Sequence, residues 1–348
     1  QILVHITDTH VDPADKEGLE RLRHFVSTCN TIIRPDVVVV TGDCTEHGQD
    51  SEFHLYNELF SGLDAKLLSL PGNHDKRPYS GFREIIGPTK WFYAARQCDL
   101  VGIPSPVDRD EFQDNPKWLE ATLDRLCECD SADATRPTEG REPRPVLLFT
   151  HYPLRLTDER YLAWGKGHTT KIAFRHHMCF VGEQGYALLR LLMKYPVCAS
   201  FHGHTDYNYE EQCIYSGTRV YLTADFSRSL RLIVIDRARV RVAEMRTGQM
   251  PAFVLLDPDP YIPGSENKIS GLTDIRVMIF TESPVVSATW SLSGVIGGPL
   301  ERIDENIWSA VWDSRQQKNG VKELTIAVDC GRDQRVSRTY KLIVANRW

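Results

Sequence analysis

The sequence lacks the features that several large protein classes require. No apolar run approaches the roughly 20 residues of a membrane-spanning helix, and residues 2–6 are too few for the core of a signal peptide. The nine cysteines include no CxxC pair, since the two closest, Cys127 and Cys129, are separated by a single residue. We therefore expect no disulfide framework, and we interpret the cysteines as reduced thiols of a cytoplasmic protein.

The chain also has no basic stripe of the kind that binds nucleic acid. Its formal net charge is −6, which argues against a large nucleic-acid footprint. Its arginine-rich stretch, Arg237, Arg239 and Arg241, alternates with alanine and valine, which predicts the solvent-facing side of a strand.

The length of the chain and the change in its strand and helix patterns along the sequence predict two domains. The chain has 348 residues, of which 41% are hydrophobic and 25% charged, as in soluble globular proteins. Residues 1–246 alternate strand-like and helical patterns, which indicates an α/β domain with parallel strands. Residues 247–268 hold four prolines and predict a linker. Residues 269–348 are strand-like throughout and predict a small β-sandwich that serves in packing or in homo-oligomer formation.

Apolar periodicity predicts the main elements of the first domain. The expected strands are 2–6, 37–40, 66–70, 146–150 and 197–201, and the expected helices are 16–31, 51–60 and 183–195. Four short strands between residues 213 and 245 are expected to form a second sheet stacked on the first.

Polar residues follow the strand-like runs in four short motifs and at one single position. The motifs are Asp8-Thr9-His10, Gly42-Asp43, Gly72-Asn73-His74-Asp75 and His202-Gly203-His204-Thr205-Asp206, with His151 alone before the last. Polar residues at strand ends point into one crevice. Carboxylate oxygens mixed with imidazoles suit Mn, Fe, Co or Zn, so the set predicts a two-metal hydrolase.

Each motif residue has a chemical role that it could fill. The two oxygens of Asp43 could bridge two cations about 3.5–4 Å apart, which together would clamp the attacking and leaving oxygens of a phosphoryl displacement. Asn73 offers a neutral carbonyl ligand, and its neighbour His74 is a candidate general acid for the leaving alkoxide. Asp75 could hydrogen-bond the other ring nitrogen of His74 and hold it protonated.

Taken in this order, the motifs resemble the calcineurin-like metallophosphoesterase superfamily. The resemblance covers residues 1 to about 245 and implies a four-layer α/β/β/α sandwich. It implies an attacking hydroxide shared by two metals, with His74 at the phosphate. The ligands that it implies are Asp8, His10 and Asp43 for one ion, and Asp43, Asn73, His151 and His204 for the other.

The last motif departs from the family pattern, which has a second histidine where this chain has Asp206. Three alternatives are open. Asp206 could bind the first metal directly, the first metal could lack that ligand, or His202 could turn towards it. Each alternative would weaken or retune the first metal site.

The resemblance is greatest to the cyclic-nucleotide and glycerophosphodiester phosphodiesterases. We therefore expect metal-dependent hydrolysis of a small-molecule phosphodiester such as a cyclic nucleotide. A phosphomonoesterase or nuclease with the same metals is one alternative, and a weakly active metal-binding interaction protein is another. The insertion at 152–180 carries cationic and aromatic residues, which predict either substrate contacts or a lid or dimer contact.

Overall fold

The computed structural model describes most of the chain. The described residues are 1–76, 78–105, 109–132, 144–153, 182–213, 215–265, 267–293, 296–331 and 334–346, with only the backbone at 109–114, 128–132 and 182–186. All but the first two residues of the predicted insertion at 152–180 lie outside them. Within the described part of the chain, no helix combines the length and apolarity needed to cross a membrane.

Strands and helices alternate through the first 246 residues. In chain order they are β1 (Ile2–Ile6), α1 (Lys16–Thr28), β2 (Val37–Thr41), α2 (Asp50–Phe60), β3 (Lys66–Leu70), β4 (Trp91–Ala94), β5 (Asp99–Gly102), α3 (Arg109–Ala132), β6 (Val146–Phe149), α4 (Gly182–Lys194), β7 (Val197–Thr205), β8 (Tyr209–Gln212), β9 (Arg219–Ala224), β10 (Ser229–Asp236) and β11 (Arg239–Arg246). Short π-helical turns follow α1 at Cys29–Ile33 and precede β4 at Phe82–Ile86.

These strands form two mixed sheets. The five-stranded sheet has the order β11-β10-β1-β2-β3, and the six-stranded sheet has the order β4-β5-β6-β7-β9-β8. Strands β1, β2 and β3 are parallel, as are β5, β6, β7 and β9, while the outer strands pair antiparallel. The carboxyl ends of the central strands therefore share one edge in each sheet.

The sheets stack face to face with helices outside. Leu3 and Val39 of the first sheet pack against Phe149 and Phe201 of the second in a fully buried layer. Helices α1 and α2 cover the outer face of the five-stranded sheet, and α3 and α4 cover the outer face of the six-stranded sheet. The predicted four-layer α/β/β/α sandwich is confirmed.

The prediction that the strands after residue 213 form a separate sheet is wrong. Strand β10 pairs antiparallel with β1, with Ile2 opposite Val234, so β10 and β11 extend the first sheet. Strands β8 and β9 extend the sheet that contains β7. Pairing between strands more than 200 residues apart leaves no local signal in the sequence.

The remaining strands build a second, all-β body. They are β12 (Ala252–Asp257), β13 (Leu272–Phe280), β14 (Ser287–Leu292), β15 (Ile296–Pro299), β16 (Glu301–Arg302), β17 (Ile307–Asp313), β18 (Gly320–Asp329) and β19 (Arg335–Val344). Two antiparallel sheets, β12-β13-β17-β16 and β15-β14-β18-β19, enclose a core that includes Trp290 and Trp312. The expected small C-terminal all-β sandwich is confirmed.

Two predictions near this body need correction. The segment 247–268, predicted as a linker, contains β12, whose apolar residues pair with β13 and are buried. The prolines flank this strand instead of interrupting it. Arg241, predicted to face solvent, is only 5% exposed because β12 and the chain after it cover that side of β11.

Candidate metal centre

The predicted motifs meet at the carboxyl ends of the central strands. Asp8 follows β1, Asp43 follows β2, and Asn73 follows β3. From the second sheet, His151 comes shortly after β6, and His204 is the last residue but one of β7. The stacking of the two sheets brings both sets of strand ends to one crevice, as ligand sites of open α/β sheets require.

Four residues of the centre have a left-handed backbone, which is uncommon for residues other than glycine. Their φ values are 53° at Asp8, 43° at His10, 47° at Asp43 and 65° at His204. Hydrogen bonds between neighbouring strand ends hold this conformation, since Asp8 N donates to Gly42 O and His10 N donates to Asp43 O, each at 3.0 Å. Such strain, on the order of 1–3 kcal/mol per residue, concentrates at functional sites.

A first cluster of potential ligand atoms belongs to Asp8, Asp43, His151 and His204. One side-chain ligand atom from each lies within 4.8 Å of the others. His151 Nε2 lies 3.3 Å from Asp43 Oδ2 and 3.2 Å from His204 Nδ1. The same nitrogen is 3.1 Å from Asn73 Oδ1. His151 Nδ1 lies 2.7 Å from the carbonyl oxygen of Thr41, so Nδ1 carries a proton and Nε2 is the ring nitrogen that faces the cluster.

A second cluster lies beside the first and consists of His10, Glu46 and His74. His10 Nε2 is 3.9 Å from Asp8 Oδ1 and 4.0 Å from Asp43 Oδ2, which connects the two clusters. Glu46 Oε2 lies 2.6 Å from His10 Nδ1, but not in line for a hydrogen bond. The rings of His10 and His74 meet edge to face, with centroids 4.7 Å apart.

Burial and charge set the protonation of the first cluster. Burial disfavours the charged form of His151, but the carboxylates of Asp43 and Asp8 outweigh it and raise its pKa to about 9. Burial opposes ionisation of Asp43 as well, yet His151 holds the pKa of that carboxyl well below its usual range. The pKa of Asp8 is raised, mainly by burial. The protein alone thus places two carboxyl groups against one buried cation.

The donor atoms fit metal ions. Three imidazoles, two carboxylates and one amide oxygen converge in the crevice, and such mixed sets bind divalent first-row metals. His204 Nδ1 and His151 Nε2 face each other at 3.2 Å, a contact that one shared cation would stabilise. We conclude that the crevice is a candidate site for two metal ions.

Comparison with known proteins identifies the family. A family model described as calcineurin-like phosphoesterase matches residues 3–207, more than half of the chain. The chain belongs to the calcineurin-like phosphoesterases. This family is hydrolytic, and the predicted family is confirmed.

Curated relatives of this phosphoesterase are named phosphodiesterases. The present chain is 24% identical over 172 residues to a probable glycerophosphodiester phosphodiesterase GpdQ of Arcobacter nitrofigilis. This match covers 44% of the present chain and 57% of the relative. It is 27% identical over 221 residues to the 3',5'-cyclic adenosine monophosphate phosphodiesterase CpdA of Escherichia coli K12, covering 59% of this chain and 70% of the relative. The match thus spans little more than half of the first of these proteins.

Two predictions about the last motif of the phosphoesterase are not supported. Asp206 is exposed, belongs to neither cluster and follows the end of β7, where its carbonyl oxygen accepts a hydrogen bond from Arg228 at 2.6 Å. His202 is buried with both ring nitrogens engaged, 2.9 Å from Tyr152 O and 2.9 Å from Ser200 Oγ. The remaining alternative is a first metal site that lacks this ligand.

The predicted contact between Asp75 and His74 is also corrected. Asp75 is buried and accepts hydrogen bonds from the backbone of Gly72, Cys44 and Thr45 and from the Thr45 hydroxyl, at 2.8–3.0 Å. Burial and the neighbouring Asp43 raise its pKa to about 6. Asp75 therefore fixes the loops that carry the motifs, and it is not the partner of the His74 ring.

That partner is Glu46, which the sequence reasoning missed. The backbone oxygen of Glu46 lies 2.9 Å from His74 Nδ1, and its carboxylate lies 3.8 Å from the same nitrogen. Burial lowers the pKa of His74, but the Glu46 carbonyl and the Asp43 carboxylate outweigh it, so the net shift is upward. The only signal in the sequence was the position of Glu46, three residues after Asp43.

Two glycines allow the strand ends to approach this closely. Gly42 has a φ of +94°, and a Cβ atom there would lie 2.6 Å from the ring of His151. A Cβ atom on Gly203 would lie 1.8 Å from Thr7 Oγ1 and 2.7 Å from Asp8 Oδ2. Both positions exclude any larger residue without displacement of the ligands.

Proposed function

We propose that this chain hydrolyses a small-molecule phosphodiester at a centre of two metal ions. The observation that carries the proposal is the position of Asp43 between the two clusters. Its Oδ2 lies 3.3 Å from His151 Nε2 and 4.0 Å from His10 Nε2, and its Oδ1 accepts a hydrogen bond from His74 N at 2.8 Å. A carboxylate with ligand groups on both sides is suited to bridge two cations.

The ligand sets follow from this geometry and from the family pattern. Asp8, His10 and Asp43 would hold one metal, and Asp43, Asn73, His151 and His204 the other. When bound, the metals would supply Lewis-acid activation of a water molecule and of the phosphate. Asp206 is left out of both sets because it is exposed and belongs to neither cluster.

The chain's own residues orient the reacting groups. The carbonyl oxygen of Glu46 can only accept a hydrogen bond, so His74 Nδ1 carries a proton and the ring is fixed with Nε2 left for the substrate. The His74 side chain is 38% exposed, which keeps it accessible from the crevice. In this proposal His74 binds a phosphate oxygen and assists the departure of the leaving alkoxide.

A phosphodiester is the substrate class that the relatives support. Those reported above are named for glycerophosphodiester or cyclic adenosine monophosphate hydrolysis. We extend this class, and not either substrate, to the present chain. A cyclic nucleotide or a glycerophosphodiester would present one non-bridging face of its phosphate to the metals and an alkoxide to His74.

The proposal is tested with two diesters of different leaving-group strength, bis-p-nitrophenyl phosphate and a cyclic nucleotide, and with the monoester p-nitrophenyl phosphate. We expect the manganese-loaded protein to cleave bis-p-nitrophenyl phosphate faster than p-nitrophenyl phosphate, and to lose this activity on chelation. Replacement of His74 by Ala should reduce cleavage of an alkyl diester, such as a cyclic nucleotide, by about 10²–10⁴-fold. The loss should be smaller with bis-p-nitrophenyl phosphate, because nitrophenolate departs without a proton.

His54→Ala is the matched control, since His54 is an exposed histidine of α2 outside both clusters. Faster cleavage of the monoester would contradict the proposed diesterase activity and would assign phosphomonoesterase activity instead. Absence of turnover above the His74→Ala background with every ester would favour the metal-binding interaction protein.

A further inference from the structure

A large cavity lies between the phosphoesterase domain and the C-terminal sandwich, away from the metal centre. Its volume is about 940 Å³, which is enough for a small organic molecule. Strands β8 to β11 form one wall, and β19 with the segment after β12 forms the other. None of the metal-cluster residues lines it.

The lining is cationic in a protein that is acidic as a whole. Three acidic side chains, Glu210, Glu244 and Asp259, oppose twice as many basic ones. The basic side chains are Arg219, Arg231, Arg241, Arg246, Arg338 and Lys341. The net charge of the lining is thus +3, against −6 for the chain.

Arg231 is the most informative of these residues because it is a buried cation without a close anion. It is 2% exposed, and the nearest carboxylate oxygen paired with it, Glu210 Oε2, is 4.0 Å away. Its Nη2 donates to the backbone oxygens of Leu222 and Tyr209, but Nε has no hydrogen-bond partner among the described residues. Burying a guanidinium in this way is costly unless an anion compensates it.

Asp259, another carboxylate of the lining, is engaged by other arginines. Asp259 already pairs with Arg219, and its Oδ1 lies 3.2 Å from Arg241 Nη1, so one carboxylate serves two arginines. On the opposite wall the hydroxyl of Tyr340 is buried beside Arg338, and its proton has no acceptor among the described residues. One unused donor from each domain, Arg231 Nε and the Tyr340 hydroxyl, therefore lies within the walls of the cavity.

We propose that this interdomain cavity binds a small polyanion through Arg231, Arg338 and the Tyr340 hydroxyl. The ligand class is a small molecule with phosphate or carboxylate groups, because the planar guanidinium donates two parallel hydrogen bonds to either oxyanion. Since β10 and β19 belong to different domains, the bound anion would also fasten the sandwich to the phosphoesterase domain.

The test uses the metal-free protein, so that an anion cannot bind at the catalytic metals. Titration calorimetry with pyrophosphate and with citrate should give one site per chain, and the better ligand should raise the melting temperature. A stronger response to pyrophosphate assigns an organic phosphate, and a stronger response to citrate assigns a polycarboxylate. This result does not depend on catalysis.

Arg338→Gln removes a cavity donor, and we expect it to weaken binding about tenfold. Arg335→Gln is the matched control, since Arg335 is an exposed arginine of the same strand outside the lining. Lys341→Gln serves as a second cavity variant at an exposed position, where folding is not at risk. Equal weakening by Arg335→Gln, or no binding of either anion by the wild type, would overturn the proposal and assign the cavity to water.

Discussion

At the scale of single residues, the centre depends on which side chains the strand ends direct inwards. Asp8 is 8% exposed and accepts hydrogen bonds from His204 N at 2.9 Å and from the Thr7 hydroxyl at 2.6 Å. Asp206, two residues after His204, is exposed, and its backbone oxygen accepts a hydrogen bond from Arg228. Two aspartates close to the same histidine therefore have different roles.

These different roles lead to a prediction about metal content. Asp206→Asn should leave the metal content of the purified protein unchanged, whereas Asp8→Asn should lower it, because Asp8 supplies an oxygen to the first cluster and Asp206 belongs to neither cluster. Elemental analysis after dialysis against manganese measures both. A loss of metal in Asp206→Asn comparable to that in Asp8→Asn would restore Asp206 as a ligand.

At the scale of elements, the ends of β2 and β6 approach each other at Gly42. Hydrogen bonds from Asp8 N to Gly42 O and from the His151 ring to Thr41 O join the three strand ends. Gly42 combines a positive φ with the close contact to the His151 ring, so its replacement has two separable costs.

Gly42→Ala should therefore cost more than the strain of its backbone conformation alone. Gly248→Ala is the matched control, since Gly248 also has a positive φ, +75°, but has open space around it. We expect about 1–2 kcal/mol of destabilisation for Gly248→Ala from the left-handed conformation. Gly42→Ala should exceed this value in urea unfolding and should also reduce metal content. Equal destabilisation with full metal content would mean that the His151 ring moves aside freely.

The sequence predicted those elements whose signal is local. The all-valine run of β2 and the apolar run of β1 gave the strands, and the polar residues after them gave the ligands. Parallel strands bring their ends to one edge, so clustering of Asp8 and Asp43 could be inferred without coordinates. The family resemblance supplied the rest of the ligand set.

The sequence did not predict the features that depend on contacts between segments far apart in the chain. Strand β10 joins β1 across more than 200 residues, and this pairing could not be inferred from periodicity. The burial of Arg241 depends on cover by β12, which the prolines had suggested was a linker. Glu46 reaches His74 only because the chain turns after β2, and no pattern marks that turn.

At the scale of the whole molecule, the two central sheets are joined by a buried histidine. His5 of β1 is fully buried, with Nε2 2.7 Å from Thr41 Oγ1 in its own sheet and Nδ1 3.0 Å from Thr223 Oγ1 in the other. The rings of Phe149 and Phe201 lie beside it. Burial, with the nearby charge of Arg231, lowers the pKa of His5 well below 6.5.

This histidine should make the stability of the sandwich sensitive to acid. The unfolded chain binds a proton at residue 5 below pH 6.5, whereas the folded chain does not, so the stabilisation is complete above pH 6.5 and is lost as the pH falls. The loss is at most about 1.4 kcal/mol per pH unit below pH 6.5. In His5→Gln this contribution is absent. Urea unfolding of the metal-free proteins between pH 7.5 and 5 should therefore give a shallower decline for the variant, and parallel curves would show that His5 is protonated inside the fold.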